Sequence, residues 1–99
     1  GKSDQFFFFF FSKNHSTVAA AIKAADATPV SVTGTIVRHI QDDHFELKDN
    51  TGSIHVEIDE DLATVQQLKA GTKVKVYGEV DTHREKPTDI EVLKIELLK

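Results

Sequence analysis

Asp42-Asp43-His44-Phe45-Glu46-Leu47-Lys48-Asp49-Asn50-Thr51-Gly52-Ser53-Ile54-His55-Val56-Glu57-Ile58-Asp59 alternates apolar and polar residues, halts at a turn, and alternates again. That pattern predicts a β-hairpin. Phe45 and Leu47 fall on one face with Ile54, Val56 and Ile58, and His44, Glu46, Lys48, Ser53, His55 and Glu57 fall on the other. Keeping the two apolar sets on one side requires an even-numbered loop. A four-residue loop, Asp49 to Gly52, pairs Lys48 with Ser53, Glu46 with His55, and His44 with Glu57.

Upstream, Ser16 is placed to cap a short helix with Val18, Ala21, Ile22 and Ala25 inward. Pro29 stops it, because the residue before proline is pushed out of the α region. A long strand follows, with Val30, Val32, Gly34 and Ile36 on one face, and Gly34 marks a bulge or bend. Extending the hairpin register sets Thr35 beside Glu46 and Val37 beside His44, with Arg38, His39 and Gln41 in the following loop.

Downstream, Asp59-Glu60-Asp61 supplies capping carboxylates for a second helix with Leu62, Val65 and Leu68 inward and Gly71 closing it. Thr72–Asp81 alternates again, with Lys73, Lys75, Tyr77 and Glu79 outward. In the last strand, Asp89–Leu98, the apolar phase changes between Val92 and Ile95, which predicts a bulge near Leu93-Lys94. The chain is therefore mainly β. A short N-terminal helix, five strands, and a helix between strands 3 and 4 make the order of a five-stranded OB-fold barrel.

The 99 residues suit one domain, at 15–99, after an N-terminal segment at 1–14. That segment carries Phe6, Phe7, Phe8, Phe9, Phe10 and Phe11, too short for the about 20 residues of a membrane-spanning helix. An uncovered run this apolar suits packing along a sheet edge, self-association, or a flexible or artificial tail. Methionine is absent, so the chain reads as a processed or trimmed product. Cysteine is absent too, which removes disulfides and thiolate zinc sites.

A barrel of this class binds ligands on its strand 2–3 face and adjoining loops. The candidate ligand-binding residues are Thr35, Asp42, Asp43, His44, Glu46, Lys48, His55, Glu57 and Arg84. Their carboxylates suit a cationic ligand. Single-stranded nucleic acid needs outward aromatics and a basic groove. This face has neither, and the formal charge is −4. His44, Glu46, His55 and Glu57 are the residues a metal would use, but ordinary charged cross-strand pairs are the plainer reading, and no cofactor is expected. No nucleophile motif is present, so catalysis is not expected.

The runs Val32-Thr33-Gly34-Thr35-Ile36-Val37, Asp42 to Asp49, Thr51 to Asp59, Val74 to Asp81 and Ile90-Glu91-Val92 resemble the bacterial OB-fold (BOF) family of YgiW/YdeI-type stress-tolerance proteins. The resemblance covers roughly Ser16 to Leu98. It implies a non-enzymatic periplasmic protein whose signal peptide has been removed, binding a small, cationic compound or a cell-envelope component. Many members carry a tryptophan shortly after the segment matching Glu57-Ile58-Asp59, and this chain has none.

Overall fold

The structure, a computed structural model, describes residues 15–99, so the 1–14 segment and its phenylalanine run lie outside the described residues. Among the described residues one helix, α1 (Val18–Lys23), precedes five strands: β1 (Pro29–Gln41), β2 (His44–Asp49), β3 (Gly52–Glu57), β4 (Lys73–Asp81) and β5 (Asp89–Leu97). They close into a barrel in the order β1-β2-β3-β5-β4, with β3 and β5 parallel. This is the predicted five-stranded OB-fold barrel.

The hairpin forms in the predicted register. Lys48 faces Ser53, Glu46 faces His55, His44 faces Glu57, and Asp49–Gly52 closes the ladder around Asn50 and Thr51. Phe45, Leu47, Ile54, Val56 and Ile58 are all buried, as the alternation requires. The predicted phase break is also present: Tyr77 pairs with Lys94 and Gly78 with Val92, leaving Leu93 as the extra residue.

The β1–β2 register differs from the expectation. Thr35 lies opposite Lys48 rather than Glu46, and Gln41 rather than Val37 lies opposite His44. Irregularities between Ile36 and Arg38, and between His39 and Gln41, each add a residue on β1. Arg38, His39 and Gln41 are therefore strand residues, not loop residues. Only Asp42 and Asp43 turn the chain, Asp42 with φ 50°.

Between β3 and β4 the expected helix is absent; turns occupy residues 60–72. Asp59 Oδ1 accepts the Asp61 amide at 2.9 Å, and Thr64 and Gln67 exchange side-chain bonds to each other's amides. Such local bonds offer the backbone an alternative to the helix. Ala63 and Leu68 are buried, whereas Leu62 and Val65 are exposed. The segment is anchored to β1 by paired bonds, Gly71 N–H to Ile36 O and Ile36 N–H to Thr72 O, each 2.8 Å.

Helix α1 is capped by Thr17, not Ser16, and its buried residues are Val18 and Ala21; Ile22 is exposed. Six residues cannot hold a helix alone in water, and the hairpin turn supplies what is missing. Asp49 Oδ2 accepts the Val18 amide at 2.9 Å, Thr51 Oγ1 the Ala19 amide at 3.0 Å, and Thr17 Oγ1 the Ala20 amide at 3.1 Å. Partial burial raises the Asp49 pKa, but bonds from the Thr51 hydroxyl and the Val18, Thr51 and Gly52 amides outweigh it and leave the carboxyl below its ordinary value.

Two glycines sit where neighbouring strands approach closely. A Cβ on Gly78 would lie 2.1 Å from Glu91 O, and one on Gly34 would lie 2.6 Å from Lys48 O. Gly78→Ala is expected to lower unfolding free energy by about 2–3 kcal/mol, with Gly34→Ala also destabilising but less so, in urea titrations of the two variants. Asp49→Asn is expected to cost about 1–2 kcal/mol at pH 7. Because the folded-state pKa is lowered, that contribution is present above the ordinary aspartate value and is lost as pH falls through the folded one. The gap between Asp49→Asn and the parent chain should close below about pH 4.

Candidate functional site

The outer surface of the barrel is organised in rungs that run from strand to strand. The first passes from Arg38 on β1 to Glu46 on β2, His55 on β3, Asp89 on β5 and Asp81 on β4. The second passes from Gln41 to His44, Glu57, Glu91 and Glu79. These residues face outward because their neighbours Phe45, Val56, Ile90 and Val80 fill the core. The second rung therefore sets three glutamates side by side on adjacent strands, and the first sets Asp89 beside Asp81. Like charges directly opposite one another destabilise a sheet.

Glu46 and Glu57 behave differently on this face. Arg38 Nε donates to Glu46 Oε1 at 2.8 Å and holds the Glu46 carboxyl below its ordinary pKa, more than offsetting its desolvation. Glu57 is pushed up, first by desolvation and then by the negative charges of Asp43, Asp89 and Glu91, with His44 opposing. His44 itself approaches Asp43, 3.7 Å away, rather than its rung partner Glu57.

The expected site residues do not share one cleft. Asp42 and Asp43 border an acidic cleft of about 510 Å³ with Asp59, Glu60 and Asp61. Thr35 and Lys48 border another of about 500 Å³, closed by Asn50 and Gly71. Glu46 and His55 border a third of about 300 Å³, floored by Ile22 and Ile54. His44 and His55 meet Asp89 and Lys86 in a fourth of about 210 Å³. Glu57 borders none of these clefts and pairs with Glu91 of β5, and Arg84 is exposed on the β4–β5 loop. Nor do donor atoms of His44, Glu46, His55 and Glu57 converge. Among the described residues the gathered metal-ligating side chains are instead Asp81, His83 and Asp89.

That Glu79, Asp81, Asp89 and Glu91 continue the face of the hairpin was beyond sequence reasoning, because β5 joins β3 in parallel, a pairing that no local alternation reveals. The one available signal was the carboxylate phase of β4 and β5, Glu79/Asp81 and Asp89/Glu91. Tyr77 also departs from expectation. It leaves the strand on the outer side yet is fully buried, with Lys75 and Lys94 Nζ 5.3 and 5.8 Å from its ring centre. Its hydroxyl donates to Glu96, and burial followed by that carboxylate raises its pKa well above the usual tyrosine value.

Residues 8–97 match the model of a family described as "Bacterial OB fold (BOF) protein". Over 66 residues the chain is 48% identical to the calcium-regulated OB-fold protein CarO of Pseudomonas aeruginosa, covering 67% of this chain and 57% of CarO. It is 36% identical to protein YgiW of Escherichia coli K12 over 66 residues, covering 67% of this chain and 51% of YgiW. The chain thus spans little more than half the length of these curated relatives. The solved structure of the hypothetical protein ygiW from E. coli superposes with a TM-score of 0.77 at 32% identity, over 88% of this chain and 92% of that one.

A pKa raised in the folded state makes Glu57 favourable below the ordinary carboxylate value and unfavourable once pH rises through the folded one. Glu57→Gln is therefore expected to stabilise the protein at pH 7 by about 0.5 kcal/mol. The gain should disappear below about pH 4, as read by paired thermal melts.

Proposed function

This chain belongs to the bacterial OB-fold (BOF) family, and from that premise we propose that it is a non-enzymatic periplasmic protein of the stress-tolerance type that binds a small polycationic ligand on its acidic outer face. The observation that carries the reading is the rung Glu57–Glu91–Glu79 across β3, β5 and β4. Three adjacent carboxylates repel one another in the free protein, and a polyamine laid along the rung would relieve that repulsion and gain charge-assisted hydrogen bonds. Spacing favours an extended amine over a point charge, because neighbouring strands are about 4.8 Å apart. His44 and Asp43 flank the rung at one end and would contact the ligand there. Lys48 and Arg84, the cations among the expected site residues, would lie outside its path. No helix among the described residues is long and apolar enough to cross a membrane.

Isothermal titration of spermidine into the full chain at low salt tests this reading. Binding should weaken as salt rises, and Glu57→Gln with Glu91→Gln should weaken it at least about tenfold, one tenfold step being about 1.4 kcal/mol. Undiminished affinity in the double variant, or no saturable heat at low salt, would refute the assignment.

A further inference from the structure

Asp81 ends β4 and Asp89 begins β5, and the two stand directly opposite one another at the base of the connecting loop. His83 folds back over both. Its Nε2 lies 3.2 Å from Asp89 Oδ2 and 3.7 Å from Asp81 Oδ2. One donor atom from each of the three residues lies within 4.8 Å of the others.

We propose that Asp81, His83 and Asp89 form a binding site for a divalent transition-metal ion of the Zn²⁺ type. Asp89 supplies the observation that an ordinary surface cluster lacks. The residue is only 7% exposed, and its Oδ1 is buried without a hydrogen-bond partner. A buried carboxylate whose second oxygen is unsatisfied is under-compensated by one imidazole contact, and a cation held against it would complete it.

The donor set identifies the class of ion. One imidazole nitrogen with two carboxylate oxygens suits Zn²⁺ and its neighbours, whereas Ca²⁺ and Mg²⁺ take oxygen almost alone. Donors bound about 2.0–2.1 Å from an ion stand roughly 3.3 Å apart around a tetrahedron, close to the separations of His83 from its two partners. Drawing the remaining pair together is left to the side chains that can move. Asp81 is 41% and His83 25% exposed in their side chains, while that of Asp89 is 10% exposed and held by its strand. The fourth position would face solvent and take water. Lys86 of the same loop lines a cleft together with Asp89. This site is separate from the glutamate rung and stands whether or not a polyamine binds there.

The competing interpretation is a metal-free triad in which the His83 ring alone bridges the two aspartates. Titration of ZnCl₂ into the full chain in a non-chelating buffer separates the two, with the imidazole resonances followed by NMR. One saturable site is expected, with the His83 ring signals moving while those of His15, His39, His44 and His55 hold still. His83→Ala, a loop change whose folding is checked by circular dichroism, should weaken binding at least about tenfold, and Asp89→Asn should do the same. CaCl₂ at equal concentration should leave His83 unmoved. Zinc affinity unchanged by His83→Ala, movement of the other histidines in place of His83, a calcium response without a zinc response, or no saturable zinc heat would each overturn the proposal. If Asp89→Asn does not fold, His83→Ala alone carries the test.

Discussion

Barrel closure is the constraint on which the rest of this structure depends. A sheet of five strands has edges unless its two end strands also pair, and here β1, already paired with β2, pairs with β4 as well. Residues 29–35 pair with β4, and residues 35–41 pair with β2. Thr35 is the crossing point, opposite Lys73 on one side and Lys48 on the other. Gly34 next door lets β2 approach to a distance that a side chain would prohibit. Gly78 does the same where β4 meets the Leu93 bulge of β5. Strand number, tilt and stagger are linked in a closed barrel, and these two contacts lie on β1 and β4, the strands whose pairing closes it.

That register has an electrostatic consequence. Closure sets β5 beside β3 in parallel, which joins the histidines and glutamates of the hairpin to the carboxylates of β4 and β5. The polar face of the hairpin, read alone, is a balanced mixture in which each histidine faces a glutamate. In the barrel it becomes the margin of a larger acidic surface. Arg38 removes Glu46 from that surface by pairing with it, so the free negative charge shifts toward Glu57 and β5. A pair of rungs thus acquires a polarity that neither hairpin strand possesses by itself.

The hairpin turn has a second task. Asp49 and Thr51 reach across to the first amides of α1, and those bonds seat Val18 and Ala21 in the core. A short helix gains from neighbours the stability it lacks intrinsically. Ser16 N–H bonds to Ser31 O at 2.8 Å just ahead of it, so α1 is held at both the turn and β1. The Asp49-Asn50-Thr51-Gly52 sequence is therefore both a turn and a cap.

Local pattern alone determined the hairpin and its register, the inward set Phe45, Leu47, Ile54, Val56 and Ile58, and the bulge at Leu93. Each follows from period-two alternation, information carried within a few residues. The barrel followed from the order of elements, even though the second helix in that order proved to be turns. There Asp59 and Thr64 bond nearby amides, a competition that capping carboxylates and apolar spacing do not disclose. The β1–β2 register also needed the tertiary structure, because its two irregularities answer to closure rather than to composition. The acidic rung and the Asp81–His83–Asp89 cluster were equally out of reach. Glu57 is distant in sequence from Glu79 and Glu91 and meets them only through the parallel seating of β5 against β3, while the Asp81–His83–Asp89 cluster, though local, depends on the pairing of Asp81 with Asp89 and the return of the β4–β5 loop over them.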